Sequence, residues 1–377
     1  MIKGTFRSGR NGQGARSHME AATNETAVVR TADAAGLATD IDRTISEETA
    51  LRIARATPPN TVRAYTADRA AFRRWCALVG RTPLPATPET AAEYATFLAL
   101  GGALQEDGSR RGPAAPRTIE RALSAIRTEH RENGYHDEPD LGGARRIIID
   151  YRRERAHNGV RDRQAAAITA EDVRAMVEAC DPETLAGTRD RALIVLGFSL
   201  MVRRSELIAL NTVGDIDEKP GGVDVLIRWS KTDQEARGVK IAVHYGSNPQ
   251  TCPVRLLQAW RERLAVVRPE EGPLWMPIDK KDRLPHMPGY CGKPGSGRLT
   301  GKAVGIILRD AARQAGVSTE ALSAHSLRAG GATAAYTAGS DLLAISRRGR
   351  WKDGSPVLLG YIRERDRWEH DPMSGVL

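Results

Sequence analysis

Two blocks of helical periodicity, separated by the polar run Gly159-Val160-Arg161-Asp162-Arg163-Gln164, restrict this 377-residue chain to a pair of folding units. Two domains of roughly 100–200 residues would fill that length. In the first block, residues 46–158, apolar side chains recur at steps of three, four and seven and strand signals are missing. Ser46 with Glu47 and Glu48 opens a short helix. Thr61 is expected to cap a helix over 61–80 that Gly80 ends, with Ala64, Tyr65, Ala71, Phe72, Trp75 and Leu78 as its apolar face. Further helices are expected over 87–100, over 117–134 with Ile119, Leu123 and Ile126 inward, and over 141–156. Residues 1–45, rich in Gly, Ala, Thr, Ser and Asn, read as a flexible tail, and 159–168 as a linker. The second block, 169–377, mixes patterns. Thr169 caps a helix with Glu171 and Asp172 in its first turn, and a continuous helical run covers 188–210. Alternating stretches at 223–229 and 238–243 flank the polar turn Lys231–Arg237 and predict an antiparallel hairpin. Helices resume at 253–266, 301–315, 319–338 and 342–348, with a long Pro/Gly loop over 272–297.

Composition narrows the function. Lys+Arg exceed Asp+Glu by 56 to 47, a net charge of +9, which favours a polyanionic partner. Nine residues are lysine and none lies between Lys3 and Lys219, so the positive charge is mostly arginine, whose planar fork suits phosphate. No run of about 18 apolar residues predicts a membrane span, and no apolar h-region suggests a secretory leader. The cysteines Cys76, Cys180, Cys252 and Cys291 are widely spaced, so neither a disulfide framework nor a structural zinc site is expected and a reducing cytosol fits. A phosphate-binding GxxxxGK[ST] loop is also missing, which gives ATP-driven chemistry no support.

Four clusters could carry chemistry, and each has an ordinary reading beside the functional one. Arg203 and Arg204 follow the apolar Ala192–Met201 run and precede Ser205-Glu206-Leu207; they either close a helix at the surface or face an anion. Lys231 sits beside the hairpin turn, as a solvated lysine or a reactive one. His325 and Arg328 share a helix face at i, i+3, and the small residues after them permit close packing; a structural histidine is the plainer alternative. Trp351 follows Gly349-Arg350, and Tyr361 lies in an apolar segment where a core tyrosine is the usual finding.

Taken in order, Arg203, Lys231, His325-x-x-Arg328, Trp351 and Tyr361 resemble the tyrosine recombinase (phage integrase) family, and the tryptophan with the Tyr-Ile-Arg that follows is similar to its Cre-like branch. The likeness spans about residues 48–370. Met201-Val202 stand where Gly-Leu is usual before the first arginine, and the Trp351–Tyr361 step is one residue longer than usual. The resemblance implies a mainly α fold with a small antiparallel β-sheet in the C-terminal domain, and a two-domain C-shaped clamp. Residues 46–158 would be the helical core-binding (SAM-like) DNA-binding domain and 169–377 the catalytic domain with its tail.

The same resemblance implies site-specific recombination without metal or ATP. Tyr361 would attack a DNA phosphate and form a 3′-phosphotyrosine, with His325 or the surrounding positive field easing loss of the phenolic proton. Arg203 and Arg328 would hold the nonbridging oxygens, Lys231 would protonate the leaving 5′ oxygen, Trp351 would donate its indole N–H to the phosphate, and Glu206 would orient an arginine. Arg63, Arg69, Arg73 and Arg74 on one helix and Arg117, Arg121 and Arg127 on another could meet phosphates or base edges, or form solvated faces. The partners implied are double-stranded DNA with inverted-repeat sites and a homotetramer on two duplexes passing through a Holliday junction, in a prokaryotic, nucleoid-associated cytosol. The apolar end, residues 373–377, is expected to dock on a neighbouring protomer or else to fray. Two other readings remain at this point: a DNA-binding protein that has kept the fold without catalysis, and a type IB topoisomerase-like relaxing enzyme.

Overall fold

The computed structural model describes residues 44–101, 112–135, 138–160, 165–230, 237–268, 271–292, 295, 297–369, 373 and 376. Nearly all of the expected tail, most of the 159–164 stretch, Lys231 and most of the C-terminal end lie outside these residues. The chain divides into two compact units, Met1–Val160 and Arg161–Leu377. Among the described residues no helix is long and apolar enough to cross a membrane.

The first unit is helical: α1 (Glu47–Ala56), α2 (Pro59–Val79), α3 (Pro88–Leu100), α4 (Pro116–Glu132) and α5 (Gly142–His157). The Ser46 hydroxyl caps α1 by accepting the Thr49 N–H. Thr61 does not cap α2. Pro58 and Pro59 lead into that helix, and Thr61 lies inside its first turn. Proline at the first helical position presets φ and lacks an N–H that would have had no helical partner. Gly80 ends α2 at φ 71°, a left-handed conformation that glycine adopts without side-chain strain. α2 packs on α4 and α3 on α5, around Phe72, Trp75, Tyr94, Ile119, Leu123, Ile126 and Ile148. The expected apolar face of α2 stops short of its end: Leu78 is 79% exposed, because Trp75 and Cys76 are the last residues the core covers.

The second unit contains α6 (Ala170–Ala179), α7 (Leu185–Leu200), α8 (Arg204–Ala209), β1 (Ile216–Lys219), β2 (Gly222–Ile227), β3 (Val239–His244), α9 (Pro253–Val267), α10 (Gly301–Gln314), α11 (Ala324–Thr337), α12 (Leu342–Gly349) and α13 (Pro356–Glu369). Thr169 and Asp172 form a reciprocal capping box on α6. The sheet is antiparallel in the order β1-β2-β3. Val223 stands opposite Val243 and Val225 opposite Ile241, placing one apolar face on the core. The centre of that core is α7, buried on almost every side among Trp260, Trp275, Leu257 and Leu308.

Four features depart from the sequence expectations. The run 188–210 is two helices, broken at Met201-Val202-Arg203, with Met201 at φ 53°. Strand β1 was not expected, since Ile216-Asp217-Glu218-Lys219 has a single apolar residue and only Ile216 is buried. The expected 319–338 helix starts at Ala324, where Ser323 and Ser326 make a capping box. Helix α13, entered through Pro356, carries Tyr361.

Helices α7 and α11 approach each other at backbone distance. A Cβ on Gly331 would lie 2.2 Å from the Phe198 carbonyl oxygen, and one on Gly330 would lie 2.3 Å from that of Ile168. Gly331→Ala is therefore expected to lower the unfolding free energy by about 1–3 kcal/mol, as overpacking does. Gly360→Ala in α13, where a Cβ meets nothing within 4 Å, should raise it by about 0.5–1 kcal/mol. Denaturant midpoints check both, and equal midpoints for the two variants would contradict the close approach.

Candidate active site

The break between α7 and α8 begins the site. Met201 turns left-handed, and its carbonyl accepts a hydrogen bond from Nη1 of Arg328 on α11. This conformation accounts for the glycine usual at that position, since a side chain at positive φ is strained. The same break puts Arg203 at the N-cap of α8. Glu206, 3% exposed, accepts from the Arg203 backbone N–H at 2.7 Å and from its Nη1 at 2.9 Å. A buried carboxylate needs such partners, because desolvating an unpaired charge is costly.

Arg328 is 4% exposed. Its guanidinium carbon lies 3.8 Å from the ring centroid of Trp351, a cation–π stack. Burial, then repulsion from Arg203, brings its pKa down to about 10, so it remains a cation at neutral pH. Trp351 in turn rests on Gly349, where a Cβ would lie 1.8 Å from the tryptophan Cζ3. The Tyr361 and Trp351 rings meet edge to face at 6.3 Å between centroids and 69° between planes, and the phenol is within electrostatic reach of Arg328. Leu358 and Ile362 hold this stretch of α13 against Met201, Ala332 and Ile345.

His325 opens α11 at an exposed position, its backbone N–H bonded to Ser323 Oγ at 3.3 Å. Desolvation of the ring, followed by repulsion from Arg204, Arg328 and Arg203, lowers its pKa from the ordinary 6.5 and leaves a neutral imidazole at pH 7. Arg204 lies over the N-terminus of α10, its Cδ 3.3 Å from where a Gly301 Cβ would be, and does not join the Glu206 pair. Of the six expected catalytic residues, five thus gather around the α7–α11 contact. The sixth, Lys231, lies outside the described residues, between β2 and β3 in sequence.

Sequence reasoning missed two arginines on α12 and at its end. Arg348 donates to the carbonyls of Ser199 at 2.9 Å and Ala242 at 3.1 Å, tying α12 to α7 and β3. Arg350 pairs through Nη2 with Glu206, on the carboxylate oxygen that the Arg203 backbone also uses. It occupies a left-handed position, φ 55°, at the end of α12. Glycine or asparagine is usual there. An arginine immediately after a glycine was the one available signal.

In the first unit the expected DNA-facing arginines divide into two groups. Arg121 makes a bidentate pair with Asp68 at 2.8 and 3.1 Å. Arg73 pairs with the buried Glu129, Arg69 with Glu132 at 2.7 Å, and Arg127 with Glu138. Arg63 bonds Asn60 at 3.3 Å. Arg74 and Arg117 are exposed and have no ion-pair partner among the described residues.

The phage integrase family is matched over residues 166–367, which takes in this whole arrangement. The chain is also 32% identical over 309 residues to the integrase/recombinase XerD homolog of Selenomonas ruminantium, covering 81% of this chain and 82% of that one. It belongs to the phage integrase family, the tyrosine recombinases, and is a DNA strand transferase of the site-specific kind. Among solved structures, a lambda integrase(75-356) dimer bound to a COC' core site is similar in fold, with TM-score 0.51, 14% identity, and coverage of 87% of this chain and 95% of that one. A XerH site-specific recombinase bound to a palindromic difH substrate matches with TM-score 0.47 and 17% identity, over 76% of this chain and 71% of that one.

Arg204 heads the charges that repel a proton from His325. Arg204→Ala should therefore move the imidazole titration upward, toward 6.5. Histidine NMR titration of the variant measures this. A midpoint that stays in place or falls would remove Arg204 from the electrostatics of the site.

Proposed function

We propose that Tyr361 is the nucleophile of a site-specific DNA recombinase, and that it cuts and rejoins strands through a 3′-phosphotyrosine intermediate. One observation carries this reading. Tyr361, Trp351 and Arg328 meet in a single stack although they come from three chain segments, and this stack sets a phenol beside a buried cation.

The Tyr361 hydroxyl attacks the scissile phosphorus and gives its proton to His325, whose lowered pKa leaves a lone pair free at neutral pH. The P–O5′ bond breaks, and Lys231 supplies the proton that the departing 5′ oxygen takes. Arg203 and Arg328 offset charge on the nonbridging oxygens, and their geometry is set before substrate arrives by Glu206, Met201 and Trp351. The Trp351 indole N–H adds a further donor. Rejoining reverses these steps with the 5′-hydroxyl of the partner strand. The covalent ester conserves the phosphodiester bond, so the exchange draws on neither ATP nor metal.

The substrate is double-stranded DNA with inverted-repeat sites. Exchange between two duplexes severs four strands, and each protomer offers one Tyr361, so four protomers assemble and pass through a Holliday junction. In this reading residues 46–158 form the core-binding domain, and Arg63, Arg69, Arg74, Arg117, Arg121 and Arg127 supply its basic surface, with Arg73 beside them still paired to Glu129. Binding weakens with salt as released counterions return. The site of action is the nucleoid in a prokaryotic cytosol.

The test is a nicked suicide duplex carrying the site selected from a random-sequence duplex pool. Wild-type protein should accumulate a covalent adduct, and Tyr361→Phe should form none while still binding. Binding without any wild-type adduct would favour a non-catalytic DNA-binding protein. Relaxation of supercoiled plasmid without recombinant product would favour a topoisomerase-like enzyme.

A second experiment addresses Lys231. Lys231→Ala should cleave the ordinary duplex poorly yet recover on a 5′-bridging phosphorothiolate, because sulfur leaves without a proton. No recovery would refute the general-acid role.

A further inference from the structure

We propose that Arg350 is a positioning residue for strand transfer: it holds the Glu206 oxygen that the Arg203 backbone also uses and so helps fix the Arg203 guanidinium beside Arg328. The inference rests on the strand-transfer reading above and adds a residue to it.

Three independent observations converge on Arg350. Its side chain is 9% exposed and joins Glu206, itself 2% exposed by side chain, across 144 residues of sequence. Its backbone is left-handed, φ 55° and ψ 47°, at the end of α12, where a side chain brings strain and glycine brings none. Its Nε and Nη1 are buried without a hydrogen-bond partner among the described residues. A residue kept for stability alone would not combine a strained backbone with two unsatisfied buried donors. Strain of this kind, held in place by its surroundings, points toward function.

The geometry shows what the residue does. Glu206 receives the Arg203 backbone N–H and the Arg350 Nη2 on Oε2, and the Arg203 Nη1 on Oε1. With Oε2 held from two directions, the carboxylate cannot rotate about its last bond, and Oε1 stays aimed at the Arg203 side chain. Without Arg350 only Arg203 itself restrains that rotation, and the Glu206 carboxylate and the Arg203 side chain can shift together. Arg350 also immediately precedes Trp351, the ring on which Arg328 stacks. One residue therefore ties the end of α12 to both arginines that meet the phosphate.

The experiment uses the full chain and the suicide duplex described above, with Arg350→Gly, Arg350→Lys, Glu206→Gln and the Arg350→Gly/Glu206→Gln double variant. Arg350→Asn, also tolerant of positive φ, stands in should Arg350→Gly misfold. Arg350→Gly is expected to slow single-turnover cleavage roughly 10- to 100-fold, the scale of a small misplacement of a reacting group. Its melting temperature should hold or rise, its duplex affinity should stay near wild type, and Arg350→Lys should recover part of the rate. The double variant should be no slower than the slower single variant, because both changes break the same link. Wild-type cleavage by Arg350→Gly, a rate loss that merely tracks lost folding or duplex affinity, or losses that multiply in the double variant would each overturn the proposal. A wild-type protein that never forms the adduct would sink the strand-transfer reading and this proposal with it.

Discussion

Helix α11 reaches Met201 because two of its residues carry no side chain. Gly330 and Gly331 face the backbone oxygens of Ile168 and Phe198 at distances that leave no room for a methyl group. The close approach brings Arg328 to a carbonyl that the left-handed turn of Met201 has pointed away from α7. That bond immobilises one side of the guanidinium, and Trp351 then covers its face. Tyr361 leans on the same tryptophan. Tyr361 and Arg328 thus share one support. A shift of α11 against α7 would move them together and would separate both from Arg203, which hangs from α8.

The charge balance of this cluster has a consequence for catalysis. Arg203, Arg328 and Arg350 contribute three positive charges, and Glu206 contributes one negative charge between them. Burial first, and this excess after it, depress the pKa of Arg328 and of His325. A phosphodiester entering the site brings the compensating charge. It relieves the repulsion acting on His325, and the imidazole becomes more basic when substrate binds. In the proposed mechanism His325 is therefore neutral while it waits and a stronger acceptor when substrate is bound, through the same electrostatics that favour the anion.

Much of this could be read from residue patterns, and the failures share a cause. Period located α3 and α4, and capping α1 and α6, because Ser46 and Thr169 act within their own first turns. Motif order named Arg203, His325, Arg328, Trp351 and Tyr361, and the fold brings these five together. The break at Met201 was missed because an apolar run carries no sign of a left-handed methionine beyond the glycine usual at that position; its carbonyl meets Arg328, more than a hundred residues away in sequence. Strand β1 is charged on its exposed positions and exists through its register with β2. Arg350 escaped for the same reason as Met201, since its partner Glu206 is local to α8 and remote in sequence. Local chemistry is written locally, whereas residues that answer to a tertiary partner look ordinary until that partner is in view.

The arginines of the first unit extend the point to charge. Glu129 is 3% exposed and depends on Arg73, so that pair belongs to the packing of α2 on α4 and cannot be given up to a ligand without leaving a buried charge alone. The Arg69–Glu132 pair is open on its acid side, where Glu132 is 55% exposed, and an exposed ion pair is worth little in water. A phosphate could take the place of that carboxylate at small expense. Arg74 and Arg117 hold no carboxylate among the described residues and need exchange nothing. The seven arginines are alike as letters but not as resources. Burial of the partnering acid decides which of them can turn toward an incoming polyanion, and a scaffold that used lysine would lose the forked pairs that Arg121 makes with Asp68 and Arg131 with Glu138.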